Sequence, residues 1–418
     1  MNKTLAPIAA LLISVSILLA GQGLQGTLLP VRASLEDFST LAIGAMGSTY
    51  FFGFTIGCLK GGELVKRVGH VRVFLAMSAI ASAAPLIHGL VVQPLAWGLL
   101  RWLSGFCFSV LYIVIESWLN DRATNENRGA IFSIYAMIMM TGLATGQMMN
   151  LMYDPSGLEL FIIASVLVSI GAVPVALSTS PSPEQPHAVR IDLRRLFKIS
   201  PSGTLGCLVT GLANGSFWAL APMFAARVGS DVSLAAWFMT SAVVGGAIAQ
   251  WPLGILSDRV GRRAVLIAIS LCGSAVGVTL FLAAPVLQFW SANVLALLWG
   301  ALAFPLYTIA VAYANDYADP SEYVTVSAGL LLMYGLGATV GPFVASALMT
   351  EQNSGGLFAF SATVHFALVV FVAVRVFRGS SVAEQQIAFG DALSAAQTKS
   401  QVYEEEIQQQ SENNQEPI

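Results

Sequence analysis

Charge is scarce in this chain. Asp, Glu, Lys and Arg make up 10% of 418 residues and hydrophobic residues 56%, where a soluble protein carries about 25% charged residues. In water such a chain would expose far more apolar surface than folded monomers tolerate. An aqueous globular fold is therefore excluded, and a lipid bilayer is the expected solvent. Cysteine and histidine are few as well. Cys58, Cys107, Cys207 and Cys272 lie in apolar runs without CxxC spacing and read as small core residues. The four histidines show no metal-ligand spacing. No GxxxxGK[ST] loop is present, which excludes a nucleotide-driven motor within the chain. No nucleophile–base pair or metal cluster stands out, so the chain does not read as an enzyme. No cofactor, metal or nucleic-acid partner is expected.

What the chain has instead is long apolar runs. A bilayer core of about 30 Å needs about 20 apolar residues as helix, and a spanning backbone must satisfy its own hydrogen bonds. The runs are continuous rather than alternating. They predict helices over 5–29, 38–60, 72–92, 94–118, 129–150, 157–178, 202–226, 232–255, 264–284, 289–313, 324–348 and 355–377. The expected fold class is an all-α membrane protein with twelve transmembrane helices. Lys3, an apolar stretch and Ala20-Gly21-Gln22 imitate a secretory signal, but the many similar runs that follow make an uncleaved first span the expected reading. Residues 179–201 are polar, proline-bearing and basic, a cytoplasmic linker between halves 1–178 and 202–378. Residues 379–418, rich in Gln, Glu, Asn and Ser, are expected to be a disordered tail.

An even number of spans puts both termini on one side. Of the 20 Lys and Arg, only Arg32 and Arg227 fall in loops on the other side, and Arg101 lies well within a span. The positive-inside rule then assigns the side of the termini to the cytoplasm of the inner (plasma) membrane.

The two halves repeat. Gln22-Gly23 and Pro30 correspond to Asn214-Gly215 and Pro222. KRVGHVR (66–72) corresponds to DRVGRRA (258–264), and ND at 120–121 to ND at 315–316. Tyr112 matches Tyr307, and Gly142 and Gly146 match Gly337 and Gly341. The offset is 192 early and 195 later, so one small indel suffices. Repeats about a membrane-normal axis, with a site at their interface, are a transporter architecture.

The densest knot of charge, GILSDRVGRR at 254–263, joins spans 8 and 9. Gly254, Leu256, Asp258, Arg259, Gly261, Arg262 and Arg263 resemble the signature loop of the major facilitator superfamily. The copy between spans 2 and 3 is degraded: Gly62, Leu64, Arg67 and Gly69 fit, but Lys66 replaces the Asp and His70 an Arg. RWLSGFCFS (101–109) resembles that family's Arg-x-x-x-Gly motif of the fourth helix. GATVGPFVA (337–345) resembles the Gly-Pro pattern of its drug antiporters, whereas GLATGQMMN (142–150) has Gln147 in place of the proline. ESWLNDRATNENRG (116–129) is similar to bacterial permeases of the YcaD type. The resemblance covers roughly 5–378 and implies two pseudo-symmetric six-helix bundles that transport a solute by alternating access.

In that arrangement spans 1, 2, 4 and 5 and their repeats line a cavity. They offer Gln22, Gln25, Tyr50, Tyr112, Gln147, Asn214, Gln250, Tyr307 and Tyr334 as candidate solute contacts, with Trp218 and Trp299 adding aromatic surface. Arg101, Gly105, Phe108, Tyr112 and Glu116 share one helical face. Arg101 can attract an anion, interact with a proton carrier, or hydrogen-bond backbone carbonyls. Glu116 is expected near the cytoplasmic mouth, as a gate or loop contact.

The signature loop reads as a gate latch, with Asp258 approaching Arg128-Gly129 and its arginines reaching Asp121. Opposite it, Lys66, Arg67 and Arg72 are expected to pair with Asp316, Asp319 and Glu322. Such contacts are worth about 0.3–2 kcal/mol each. The expected partners are a small-molecule solute and the bilayer, with the protein a monomer. Protons are left open, because no Asp or Glu lies mid-membrane in spans 1, 2, 5, 7, 8, 10 or 11. The alternatives are a proton-linked efflux antiporter for amphipathic compounds and a non-transporting receptor.

Overall fold

A computed structural model describes residues 8–123, 127–177, 192–229, 231–319, 322–350 and 353–377, leaving aside the side chains of Arg128 and Val324. Among the described residues, twelve helices are long and apolar enough to cross a membrane. In chain order they are α1 (Ala9–Leu35), α2 (Thr40–Val68), α3 (His70–Leu90), α4 (Pro94–Arg122), α5 (Arg128–Met148) and α6 (Glu159–Ala176). After a short helix, Leu193–Ile199, come α7 (Pro201–Val228), α8 (Ser233–Val260), α9 (Arg262–Ala283), α10 (Phe289–Asn315), α11 (Tyr323–Leu348) and α12 (Gly356–Phe377). Every expected span is present, and several run further toward the signature loops than hydropathy alone indicates. The tail at 379–418 and most of the linker lie outside the described residues. Residues 20–22 sit inside the uninterrupted helix α1.

Local chemistry sets the ends of these helices. Ser39 accepts from the Ala42 N–H at 3.2 Å to cap α2, and Ser200 accepts from the Gly203 N–H at 3.3 Å to cap α7. Pro94 and Pro201 begin α4 and α7, where a missing N–H costs nothing. The turns α2–α3 and α8–α9 each hinge on one left-handed glycine, Gly69 at φ 94° and Gly261 at φ 93°. An L side chain in that region costs about 1–2 kcal/mol. Gly261→Ala is expected to destabilise the protein by about that much, read as a lowered melting temperature in detergent; an unchanged melting temperature would contradict the turn geometry.

The helices form two six-helix bundles, α1–α6 and α7–α12. Within each, the tightest crossings are glycine against backbone, and they repeat. A Cβ on Gly105 would strike the Tyr50 carbonyl, and one on Gly300 the Ala242 carbonyl. One on Gly53 would strike the Trp102 carbonyl, and one on Gly245 that of Leu297. Gly146 meets Ala20 as Gly341 meets Leu212. These pairs sit at the sequence offsets of 192 and 195, so the α2–α4 and α1–α5 crossings recur as α8–α10 and α7–α11. Between bundles α2 packs on α11 and α5 on α8, which are equivalent contacts under the same pseudo-twofold.

Cys107 and Cys207 are buried as expected, but Cys272 is exposed. It lies on the outward face of α9, where an apolar side chain faces lipid as readily as core.

Candidate functional site

Between the bundles, on the α1–α2–α4 side, a hydrogen-bonded chain crosses three helices. Gln22 donates its Nε2–H to Tyr50 Oη at 2.8 Å, and Tyr112 donates to Gln22 Oε1 at 2.6 Å. One amide thereby ties α1 to both α2 and α4. The Arg101 guanidinium lies over the Tyr50 ring, 4.1 Å from its centroid, a favourable cation–π geometry. Arg101 is surrounded by protein yet keeps accessible surface, so it borders an internal hollow. It forms no ion pair with a described residue. One sequence-based alternative, Arg101 satisfied by backbone carbonyls, is not what the described residues show. Further along α4, Glu116 is buried and accepts from Tyr135 Oη at 3.4 Å.

The facing wall is aromatic. Trp218 of α7 stacks on Phe304 of α10 with centroids 5.3 Å apart and planes 3° apart. Tyr307 and Tyr334 meet edge to face at 5.0 Å. Both tyrosines are enclosed by protein but retain accessible surface, and Tyr307 lies within electrostatic reach of Cys58 and Glu116 across the hollow. The Asn214 side chain lies close to Tyr334, and its Oδ1 has no partner among the described residues. Gln250 keeps to its own half, donating to Thr308 Oγ1 at 2.8 Å.

Three candidates lie within packed protein. Trp299 is wholly buried, stacked on Phe217 at 4.1 Å with its Nε1–H donated to Ser361, and so belongs to the core. Gln25 is buried, with Nε2 unpartnered among the described residues. Gln147 is buried at the seam between halves, accepting from Thr240 at 3.3 Å. Residues that sequence reasoning passed over lie at that same seam, away from the signature loops. Arg227 donates to Ser34 Oγ at 3.4 Å and Thr40 Oγ1 at 3.2 Å, and the Phe343 N–H is given to Ser48 Oγ at 3.1 Å, one residue after Pro342 breaks the α11 ladder. Gly47 abuts Ala219 nearby. A patterning signal existed only for Arg227, as an isolated cation on the sparsely charged side.

The signature loop is built differently from expectation. Gly254 is buried and Gly261 forms the turn. Arg262 is buried and bridges Asp258 at 3.2 Å and Asp316 at 3.1 Å, both in its own half. Its Nε is close to Asp316 but not aimed at it, so that contact is an ion pair rather than a hydrogen bond. Arg263 donates to the Tyr313 and Tyr317 hydroxyls at 3.2 Å. Burial, then the Tyr313 hydrogen bond, pushes the Tyr317 phenol up to about 12, so it stays neutral beside the arginine. Arg259 is exposed.

The expected pairing of Lys66, Arg67 and Arg72 with Asp316, Asp319 and Glu322 is not formed. Asp316 is held by Arg262, Glu322 pairs with Arg195 of the short connecting helix, and Arg67 pairs with Glu63 one turn back at 2.5 Å. Lys66, Arg72 and Asp319 are exposed. The physical reason is proximity: an acid on the same bundle needs no gap to be bridged. Asp121, expected to meet the loop arginines, lies 3.4 Å from its neighbour Arg122. The expected approach of Asp258 to Arg128 falls on a side chain outside the described residues. At the degraded copy His70 takes the place of Arg262, and its Nε2 lies 3.1 Å from Ser117 Oγ.

Comparison with known proteins agrees with this architecture. The chain is 27% identical over 371 residues to the uncharacterized MFS-type transporter YcaD of Escherichia fergusonii, covering 88% of this chain and 95% of that protein. It is 28% identical over 373 residues to the same transporter of Salmonella typhi, covering 88% and 95%. Among solved structures, the nucleoside transporter NupG superposes with a TM-score of 0.76 at 15% identity, covering 90% of this chain and 99% of that one. The Escherichia coli fucose:proton symporter FucP superposes with 0.55 at 14%, covering 90% and 100%. A sequence profile of the Major Facilitator Superfamily matches residues 11–201 and 203–406, so both bundles are accounted for, and the chain belongs to the major facilitator superfamily of membrane transporters.

Proposed function

We propose that this protein carries a small organic solute across the inner membrane by alternating access between its two bundles. The halves 1–178 and 202–378 rock as units about the hollow, joined by the linker at 179–201. The end bearing the signature loops and both termini faces the cytoplasm. The observation that carries this reading is a pseudo-symmetric pair of bundles meeting around a polar and aromatic hollow. At the opposite end, hydrogen bonds from Arg227, Phe343 and Thr240 join the halves. These neutral or singly charged contacts are individually weak, about 0.5–3 kcal/mol each, which suits a seam that must open. Glu116 is a buried carboxylate beside the hollow, and a coupled proton, where one is moved, would sit there.

The test locks the outer seam. With the four native cysteines replaced by alanine, Ser34→Cys and Arg227→Cys are joined by a short bifunctional thiol reagent in proteoliposomes. Flux of whatever solute the unlocked protein carries, from a panel of nucleosides, sugars and organic anions, is expected to fall at least about tenfold. Undiminished flux through the locked protein overturns alternating access.

A further inference from the structure

We propose that the hollow takes an organic anion with a flat aromatic body, of the arylalkanoate type, its carboxylate on Arg101 and its ring against the Trp218–Phe304 wall. This rests on the transport reading above and gives that site a substrate class.

The first argument is symmetry. The α2–α4 crossing that carries Tyr50 and Arg101 is repeated as α8–α10. The same two glycine contacts close it there: Gly105 on Tyr50 becomes Gly300 on Ala242, and Gly53 on Trp102 becomes Gly245 on Leu297. That register puts Ala242 where Tyr50 stands and Ala296 where Arg101 stands, and both alanines are fully buried. The fold therefore builds this crossing with two methyl groups. A guanidinium and a phenol in the other copy are not required for packing.

The second argument is charge. A cation enclosed in a membrane-spanning bundle is costly unless it meets a partner or a wet cavity. Arg101 has the Tyr50 ring below it and no ion pair to a described residue. The titratable groups near it include Tyr50 and His88, neither a carboxylate. Its planar fork matches a carboxylate bidentately.

The third argument is the opposite wall. Trp218 and Phe304 lie almost parallel, and Tyr307 with Tyr334 extends the aromatic surface. Tyr50 joins the walls: it is one turn from Gly47, which abuts Ala219 beside Trp218, and its helix also carries Thr55, which abuts Gly335 beside Tyr334. A flat ring would meet offset aromatic faces there while its acid reaches the guanidinium.

The experiment uses the full-length protein in detergent, with thermal shift and calorimetric titration against four probes: indole-3-propionate, its neutral amide, tryptamine and acetate. Only the aromatic acid is expected to bind. Arg101→Gln is expected to raise its Kd at least about tenfold, Arg101→Lys to retain part of the affinity, and Trp218→Leu to weaken the aromatic acid. The unliganded melting curve of each variant reports its fold, and Arg101→Lys keeps the test meaningful if Arg101→Gln unfolds. Equal binding of acid and amide, no binding of the acid, or unchanged affinity in Arg101→Gln overturns the proposal. Binding of the acid without flux in proteoliposomes supports the site and sinks the transport reading. Flux of a neutral solute, with no binding of the acid, does the reverse.

Discussion

Arg262→Ala is expected to destabilise the protein by about 3–5 kcal/mol, the cost of leaving a buried carboxylate without its counter-ion. The side chains of Arg262 and Asp316 are 1% and 5% exposed; Arg262 opens α9 and Asp316 lies just past the end of α10. Asp316→Ala should cost less, because Asp258 still holds the guanidinium at 3.2 Å. The double replacement Arg262→Met, Asp316→Leu should recover most of the loss, since packed apolar groups of similar volume substitute well for a buried pair. Melting temperatures of the parent, Arg262→Ala, Asp316→Ala and the combined Arg262→Ala/Asp316→Ala protein in one detergent form a double-mutant cycle. Additive losses would show that Arg262 and Asp316 do not act together. The degraded copy supplies an internal comparison: His70 occupies the corresponding corner with Ser117 as its neighbour.

Gly105→Val is the second large effect. Its Cβ alone would enter the Tyr50 carbonyl, so α2 and α4 must part along the face that carries the polar chain. Overpacking of this kind costs about 1–3 kcal/mol, and here the displaced atom is backbone, which cannot rotate away. Gly300→Val should behave alike through Ala242. Gly26→Ala is the control, because nothing lies within 4 Å of the added methyl. It should be neutral or stabilising by up to about 1 kcal/mol, as alanine replaces glycine in a helix. Size-exclusion profiles and melting temperatures decide the matter; a Gly105→Val protein as stable as the parent would mean that the crossing is looser than described.

Much was legible before any coordinates. Spans are visible because a bilayer forces each helix to be continuously apolar and about 20 residues long. The duplication is visible because the glycines of close crossings cannot be replaced in either half. Arg101 stood out because a charge within a span is rare, and Asp258 through Arg263 because charge there is dense.

Side-chain partnership was not legible. Pattern alone set Arg67 against Asp316 across the gate, whereas Asp316 is taken by Arg262 in its own bundle and Arg67 by Glu63 on its own helix. Trp299 read as cavity surface because its helix lines the hollow, yet one helix presents both a lining face and a core face. Gln147 read as a solute contact and is a seam residue.

The sequence by itself determined that this chain is a membrane protein of twelve helices in two related halves, because solvent and helix length act on each segment independently. Only the tertiary structure decided which polar groups face the hollow, which hold the outer seam and which are spent inside one bundle. Those outcomes depend on helix rotation and on distances near 3 Å between residues from 28 to 295 positions apart, and no local pattern encodes them.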